Sequence, residues 1–252
     1  MRHIERLTRL LFELSSIERM KILLELKKSE LKLSQISRMF ELSIAETSRH
    51  LQRLSDAKLI QKKPGGPYEI TAFGNLSLLL LEDLGFVSAH LEYFQEHDVS
   101  GIPRQFIDRI GELKKGVCSK QTIKNLEEGE KKIQEAREFV WILSDDVLSN
   151  TIPVLMEKVK GSFDLRIILP EGKFPPENVS RLSSNNKRIQ KRVLPKVNVI
   201  VVMTEKYAIC CFPNKSGRMD YTGFVGKDAQ FHNWCKELFL HFWMEAKTLS
   251  FT

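Results

Sequence analysis

The chain has 252 residues, of which 42% are apolar and 28% are charged, a balance typical of a globular protein with a sizeable core. At roughly 150 residues per domain, this length allows one large or two small domains. The composition excludes a wholly disordered chain, a collagen-like repeat and a disulfide scaffold, and four cysteines suit a reducing cytosol. The longest aliphatic cluster, 76–84, is shorter than the roughly 20 residues of a membrane span. We therefore expect a cytoplasmic protein that makes no membrane contact.

The net charge of +7 is unevenly distributed along the chain. Residues 1–75 contain 14 Lys and Arg against 9 Asp and Glu, whereas residues 76–100 contain 5 acidic residues and no Lys or Arg. Residues 101–252 are again basic. This pattern indicates a modular chain with an acidic spacer between two basic parts. With the elements below, it predicts three regions: 1–75, 76–120 and 121–252.

The basic N-terminal region contains three helical patterns. Ser16 is a candidate N-cap for the first, whose apolar positions recur three or four residues apart. The second starts at Ser34. The third extends from Ile44 to Leu54 after the break Glu41-Leu42-Ser43, and Ser43 can cap it. A short helix, a three-residue break and a longer helix have the spacing of a helix-turn-helix motif.

The third helix separates into two faces. Thr47, Leu51 and Leu54 are four and three residues apart and are expected to face the core. The opposite face is small or hydrogen-bonding, which suits close approach to base edges, since Arg pairs with guanine and Gln with adenine in a major groove. The alternative is an ordinary solvated face. The candidate DNA-binding residues on this helix are Ser43, Ala45, Ser48, Arg49, Gln52 and Arg53.

A hairpin pattern follows the third helix. Leu59–Lys63 and Tyr68–Ile70 are strand-like, and Pro64–Pro67 is a turn whose glycines supply positive φ. Thr71 is expected to cap the next helix. Lys62 and Lys63 at the hairpin tip are candidates to neutralise phosphates. Three helices and a basic hairpin predict a winged helix-turn-helix that binds double-stranded DNA; the alternative is a winged helix used for protein contacts.

The segment from Ser43 to Leu54, followed by Ala57–Ile60, resembles the recognition helix and wing entry of arsenic-repressor (ArsR-like) regulators. The run Ser48-Arg49-His50-Leu51 carries most of this resemblance. Metal sensors of that family often use a cysteine pair near the recognition helix, but no cysteine precedes Cys118 here. We therefore expect no metal site and no cofactor.

The whole chain also resembles archaeal winged-helix regulators that carry the effector domain of the methanogenesis regulatory protein. The matching segments keep the family order and lie at 92–98, 102–103, 109–113, 231–239 and 241–243. The resemblance implies a C-terminal effector domain and control of methanogenic or related one-carbon genes.

The acidic spacer has an apolar stripe at helical spacing, and the helix is predicted to extend from Thr71 to about His97, with Gly85 as a kink site. Such a face must be buried in the protein's own core or against the same helix of a second subunit. We favour a homodimer, which would place two recognition helices about 34 Å apart on a pseudo-palindromic operator. The stripe consists of Leu76, Leu79, Leu80, Leu84, Val87, Leu91 and Phe94.

The C-terminal region alternates between strand and helix patterns. A charged helix at 121–136, with Ile123, Leu126 and Ile133 inward, precedes a buried strand at Phe139–Leu143. A helix at 147–160 and a strand at 164–169 then predict a parallel pair with a right-handed crossover. We assign the chain to the α+β or α/β class: a winged helix-turn-helix, a helical dimerisation linker and an α/β domain with a mostly parallel sheet.

This α/β layout resembles half of a phospholipase-D-type fold, which also occurs in sugar-sensing archaeal regulators. Catalysis in that family needs a His-x-Lys pair, and the corresponding segment Leu194–Val197 contains no histidine. The resemblance therefore implies an effector domain that is not an enzyme.

Ligands of open α/β sheets collect at the carboxyl ends of parallel strands, which makes Ser144 and Asp145 candidate effector-binding residues. Arg192 is a candidate partner for an anionic effector, and Trp141, Tyr221 and Phe224 are candidate lining residues; each aromatic residue also suits the core. Arg192 belongs to a basic run that is otherwise typical of a solvated loop: Arg181, Lys187, Arg188, Lys191, Arg192 and Lys196.

Cys210 and Cys211 are adjacent and are either redox-active or small core residues.

Together the patterns predict a homodimeric, sequence-specific transcription regulator whose C-terminal domain responds to a small molecule or a partner. The alternatives are an enzyme acting on nucleic acid and a protein-interaction scaffold.

Overall fold

The computed structural model describes residues 2–146, 151–158, 163–173 and 189–248. The chain divides into two compact units, Met1–Glu82 and Asp83–Thr252, and each has its own hydrophobic core. The boundary falls inside one helix, so the region 76–120 is divided between the two units.

The N-terminal unit is a bundle of helices followed by a two-stranded hairpin. Ser16 caps the helix that follows it by accepting a hydrogen bond from the Arg19 amide, as predicted. The helix predicted to start at Ser34 begins one residue earlier, at Leu33, because Gln35 accepts a hydrogen bond from the Lys32 amide. In chain order the elements are α1 (Arg2–Leu14), α2 (Ile17–Leu26), α3 (Leu33–Phe40), α4 (Ile44–Asp56), β1 (Ile60–Lys62), β2 (Tyr68–Ile70) and α5 (Ala72–Ala89).

The hairpin is the predicted wing. Strands β1 and β2 pair antiparallel, and Gly65 and Gly66 have the positive φ values, 90° and 101°, that the turn requires. Thr71 caps α5, since its hydroxyl accepts a hydrogen bond from the Gly74 amide at 3.0 Å. Gly74 itself lies against the backbone of the chain entering the wing, where a Cβ atom would overlap the Leu59 carbonyl oxygen.

Helix α5 ends at Ala89, which is earlier than the predicted end near His97. The break is at His90, whose φ and ψ of −115° and 32° are not helical, whereas Gly85 lies within the helix. By length and composition alone, Ala72–Ala89 is apolar enough to cross a membrane, and 22% of it is buried within the protein. The expectation that no stretch is long enough for a membrane span rests on the cluster 76–84 alone. The helix extends beyond that cluster at both ends.

The C-terminal unit is an α/β domain. Its helices are α6 (Leu91–Glu96), α7 (Arg104–Ile107), a 3-10 helix (Ile110–Lys115), α8 (Thr122–Glu135), α9 (Thr151–Lys158) and α10 (Ala229–Glu245). Its strands are β3 (Val117–Ser119), β4 (Phe139–Leu143), β5 (Asp164–Pro170), β6 (Ile189–Leu194), β7 (Ile200–Thr204), β8 (Ala208–Cys211), β9 (Gly223–Gly226) and β10 (Lys247–Thr248).

The predicted class, a winged helix-turn-helix followed by an α/β domain, is confirmed, but the sheet is mixed and not mostly parallel, in the order β10-β6-β5-β4-β7-β8-β9-β3. The predicted parallel pairing joins β4 to β5 and also β5 to β6. The remaining described pairs are antiparallel. The parallel order is therefore confined to β4, β5 and β6, because the short links between β7, β8 and β9 allow only direct reversals of the chain.

The two faces of the sheet have separate cores. Trp141 and Leu143 of β4 pack in the core that contains α10, whereas Val140 and Ile142 pack in the core that contains residues of α8 and α9. This division follows from the alternation of side chains along a strand.

Two alanine substitutions in α5 test the close approach at Gly74. We expect Gly74→Ala to lower the free energy of unfolding by about 1–3 kcal/mol, because the methyl group meets backbone that cannot yield. Gly85→Ala meets nothing within 4 Å and is expected to raise it by about 0.5–1 kcal/mol. Urea denaturation followed by circular dichroism measures both, and equal effects would contradict this packing.

Candidate nucleic-acid interface and C-terminal pocket

One face of α4 is anchored in the N-terminal core. Thr47, Leu51 and Leu54 are fully buried, as the spacing predicted. The Thr47 hydroxyl also donates a hydrogen bond to the Ser43 carbonyl oxygen at 2.9 Å, so this polar group is satisfied inside the core. Burial of these three side chains determines which face of the helix is left to solvent.

The start of α4 is held by a capping box. The Ser43 hydroxyl accepts a hydrogen bond from the Glu46 amide, and the Glu46 carboxylate accepts one from the Ser43 amide at 3.0 Å. The Ser43 hydroxyl also donates to the Glu46 carboxylate at 2.6 Å, and this bond, with the one from the Ser43 amide, lowers the pKa of Glu46. The first turn of the helix is therefore rigid, and Ser43 serves as its N-cap.

The opposite face of α4 is exposed and carries Ala45, Ser48, Arg49 and Gln52. Arg49 makes no hydrogen bond or ion pair with any described residue. The Gln52 amide donates to Asp56 at 2.8 Å, a contact that must be exchanged if Gln52 is to bond a base. The face therefore presents small side chains around one available guanidinium group.

Arg53, predicted as a DNA contact, is bonded to a carboxylate of α1. Its guanidinium donates two hydrogen bonds to the Glu13 carboxylate, at 2.8 and 2.9 Å, and lies 5.0 Å from the Phe12 ring centroid. The hydrogen bond from Arg53 lowers the pKa of Glu13. The sequence pattern places Arg53 beside the exposed face, but it does not show that α1 supplies a carboxylate there.

The two wing lysines have different surroundings. Lys63 is bonded to Glu30 and lies 2.9 Å from Glu69, and these carboxylates raise its pKa. Lys62 is exposed, and its ammonium group lies 5.7 Å from the Tyr68 ring centroid. The positive charge of Lys63 is therefore largely offset by Glu30, which precedes α3, and by Glu69 of the wing, so Lys62 is the better placed of the two for a phosphate.

The family described as "Bacterial regulatory protein, arsR family" matches residues 18–62. Residues 18–62 form an ArsR-family helix-turn-helix domain. The match extends from α2 through α4 to the first strand of the wing, which is the part built around the exposed face of α4. It supports a DNA-binding transcription regulator.

The chain is also similar to solved structures at low identity. It is 14% identical to TrmBL2, an archaeal chromatin protein, covering 93% of this chain and 94% of that one with a TM-score of 0.46. The phospholipase D family member Nuc from Salmonella typhimurium is 12% identical (50% and 91% covered, TM-score 0.39), and NucT from Helicobacter pylori is 14% identical (51% and 92%, 0.40). The curated protein sequences gave no match.

Three of the predicted effector-binding residues lie together after β4. The Tyr221 hydroxyl donates a hydrogen bond to Asp145 at 3.0 Å, and the Ser144 hydroxyl lies 3.4 Å from the same carboxylate oxygen. Burial, followed by the charge of Asp145, raises the pKa of Tyr221, so its hydroxyl keeps its proton. Ser144 and Tyr221 line a cavity between α8 and the sheet.

The other three predicted effector residues belong to the opposite side of the sheet. Trp141 stacks on Phe239 of α10, and its ring nitrogen donates to Asp164. Phe224 is fully buried in the same core. Arg192 donates to the Trp243 carbonyl oxygen near the end of α10. None of the three lines the cavity beside Tyr221, because alternation along each strand directs them to the other face of the sheet.

The basic run that contains Arg192 is described only in part. Arg181, Lys187 and Arg188 lie outside the described residues. Lys191 is buried in β6, and burial lowers its pKa to about 8, whereas Lys196 is exposed. The run therefore does not consist only of solvated side chains.

The adjacent cysteines are core residues. Cys210 and Cys211 are fully and almost fully buried, on opposite faces of β8, and both are free thiols. Burial raises the pKa of both thiols, which keeps them protonated and poorly nucleophilic. This environment favours the core interpretation over a redox role.

Leu126 and Ile133 of α8, predicted to face inward, both line the cavity, but sequence reasoning missed Asn125 and Gly129. Asn125, Gly129 and Ile133 are four residues apart and line it together, whereas Ile123, predicted to face inward, is 74% exposed. The available signal was the i, i+4, i+8 spacing, but Asn and Gly do not register in an apolar pattern.

A double-mutant cycle tests the role of Arg53. We expect Arg53→Ala and Glu13→Ala to be coupled in the free energy of unfolding, so that each substitution destabilises the protein less when the partner is already absent. Denaturation measures the coupling, and fluorescence anisotropy measures the affinity of the same variants for a DNA duplex. Arg53→Ala should weaken duplex binding less than Lys62→Ala does. A larger loss from Arg53→Ala would show that Arg53 contacts DNA.

Proposed function

We propose that the chain is a homodimeric, sequence-specific transcription regulator that inserts α4 into the DNA major groove. The observation that carries this proposal is the exposed face of α4, where Arg49 lies among small side chains and makes no hydrogen bond with the described residues, inside a domain of a DNA-binding regulatory family. Binding of DNA by such a protein takes place where the chromosome is, so the proposal includes a cytoplasmic location.

In this mechanism the residues of α4 have separate roles. Arg49 bonds a guanine through its two parallel N–H groups, and Gln52 leaves Asp56 to bond an adenine. Ser48 and Ala45 allow the helix to approach the base edges closely. Lys62 on the wing binds a phosphate, which contributes affinity without sequence information.

Arg49→Ala is expected to cost about 1–3 kcal/mol on the cognate duplex and much less on random duplex, because a base contact is lost. Lys62→Ala should weaken binding to both duplexes equally and lower the salt dependence by about one counterion. Anisotropy titrations across a range of salt concentrations distinguish the two. If Arg49→Ala weakened both duplexes to the same extent, Arg49 would only hold phosphate.

The dimer proposal rests on apolar side chains that the N-terminal unit leaves in solvent. Leu80 of α5 is 69% exposed and Ile4 of α1 is 70% exposed, and each belongs to a stripe at helical spacing. Burial of such faces against a second copy removes apolar surface from water. It also accounts for the apolar character of α5 without a membrane. The exposed members are Ile4, Leu7, Leu11, Phe73, Leu76, Leu79 and Leu80.

Leu80→Glu is expected to convert the dimer into monomers, because a charge cannot be buried unpaired at an apolar interface. Ile123→Glu is a matched control on α8, where the native side chain is 74% exposed. Sedimentation equilibrium measures the mass of each variant. Wild-type protein that is monomeric at every concentration would contradict the proposal.

The C-terminal unit is proposed to act as a sensor and not as an enzyme. The segment Leu194–Val197 lacks the histidine that phospholipase-D-type catalysis needs, and the cavity beside Tyr221 offers room for an effector. A ligand that binds one dimer geometry more tightly than another favours that geometry. It therefore changes the affinity for DNA, by at most the difference between its binding free energies for the two geometries. The resemblance of segments 92–98 and 231–239 to archaeal regulators supports this role.

A further inference from the structure

An open groove with an excess of basic side chains lies alongside α1. It is formed by α1, the end of α4 and the start of α5, all within the N-terminal unit, and has a volume of about 910 Å³. Four of its lining residues are basic and two are acidic, so its formal charge is +2. The basic residues are Arg6, Arg9, Arg53 and Lys58, and the acidic ones are Glu13 and Asp56.

The cations of this groove differ in their surroundings. Arg53 is held by the Glu13 carboxylate through two hydrogen bonds. Arg6 and Arg9 are exposed and make no hydrogen bond or ion pair with any described residue. The two arginines of α1 therefore present their charge to solvent, where an anionic partner can reach it.

The spacing of Arg6 and Arg9 suits a row of phosphates. The two are three residues apart, so their side chains are neighbours on the surface of α1. At 1.5 Å per residue they are separated by about 4.5 Å along the helix axis. Each strand of B-DNA carries one phosphate about every 3.4 Å of its own axis, so two long side chains at this separation can reach successive phosphates.

The groove continues the surface that is proposed to face DNA. Arg53, which lines it, comes four residues after Arg49, so the two side chains are neighbours along α4. When a recognition helix lies in the major groove, the phosphate backbones pass along its flanks. Helix α1 lies on the flank of α4 that carries Arg53, because Glu13 of α1 accepts the Arg53 hydrogen bonds.

Arg6 and Arg9 do not compete with the proposed dimer face of α1. That face consists of Ile4, Leu7 and Leu11, which are three and four residues apart. Arg9 is two residues from both Leu7 and Leu11, and Arg6 is two residues from Ile4, which directs the arginines to the other side of a helix with 3.6 residues per turn. One copy of the chain can therefore use both sides of α1 at once.

We propose that this groove binds the sugar-phosphate backbone of the duplex, with Arg6 and Arg9 on phosphates that flank the base pairs contacted by α4. The inference rests on the proposed function and adds α1 to the DNA interface. Helix α1 lies outside residues 18–62, so the family match assigns it no role. Because phosphate contacts carry no sequence information, α1 raises the affinity for every duplex and leaves discrimination between sequences to α4.

Salt titrations with a fluorescent duplex of random sequence, several helical turns long, test the role of α1. The variant Arg6→Ala/Arg9→Ala loses two phosphate contacts, so the slope of log K against log salt concentration should become shallower by about 1.8. Alanine favours the helix, so the variant is expected to fold. Arg6→Lys/Arg9→Lys keeps both charges and should retain most of the slope. A slope that the alanine pair leaves unchanged overturns the proposal.

A second pair of substitutions controls for the net charge of the chain. Lys124→Ala/Lys131→Ala removes two positive charges from exposed positions of α8 in the C-terminal unit. We expect this variant to keep the slope of the unmodified protein, because contact with phosphates and not total charge determines counterion release. Equal changes in slope from both pairs overturn the proposal.

Sedimentation equilibrium distinguishes DNA from a second copy of the chain as the occupant of the groove. We expect Arg6→Ala/Arg9→Ala to keep the mass of the unmodified protein. A smaller mass would place a second copy on this groove and overturns the proposal.

Duplex binding by the unmodified protein separates this inference from the proposed function. If it binds the duplex and the alanine pair binds with the same affinity and slope, the contact from α1 is refuted and the regulator stands. If it binds no duplex at low salt, the regulator and the contact from α1 are both refuted.

Discussion

Burial of one side of α4 is the constraint on which the DNA-binding account depends. Thr47, Leu51 and Leu54 are fully buried in the N-terminal core, and their positions on a 3.6-residue period leave Arg49 and its small neighbours in solvent. The capping box at Ser43 fixes where the helix begins. A rotation of the helix would expose leucines, which costs about 1.5–3 kcal/mol for each large apolar side chain. The exposed face of α4 is therefore a consequence of core packing.

Ion pairs then decide which basic residues are available to a polyanion. Arg53 and Lys63 are engaged by carboxylates that come from distant parts of the N-terminal unit. Arg49 and Lys62 make no such pair with the described residues. The basic charge of this unit thus divides into a structural part and an available part, and the available part includes residues of α4 and the wing, the two elements that a winged helix presents to DNA.

Local patterns in the sequence predicted much of this arrangement, because caps, turns and helical faces depend on neighbouring residues. The caps at Ser16, Ser43 and Thr71 are confirmed, as is the buried side of α4. Local patterns do not show contacts that a distant segment supplies. Arg53 meets Glu13 across 40 residues, and the cavity under α8 depends on Asn125, whose role is visible only once Tyr221 lies beside it. The antiparallel strand pairs were also not predicted, because pairing between strands depends on segments that are far apart in the sequence.

Site-specific photo-crosslinking tests the central claim most directly. A benzophenone amino acid at position 48 lies on the exposed face of α4, whereas the same residue at position 38, on the exposed part of α3, provides a control outside that face. With a duplex that the protein binds, the account expects efficient cross-links to bases from position 48 and little reaction from position 38. Equal yields at both positions, or none at 48 while the duplex remains bound, would contradict insertion of α4 into the major groove.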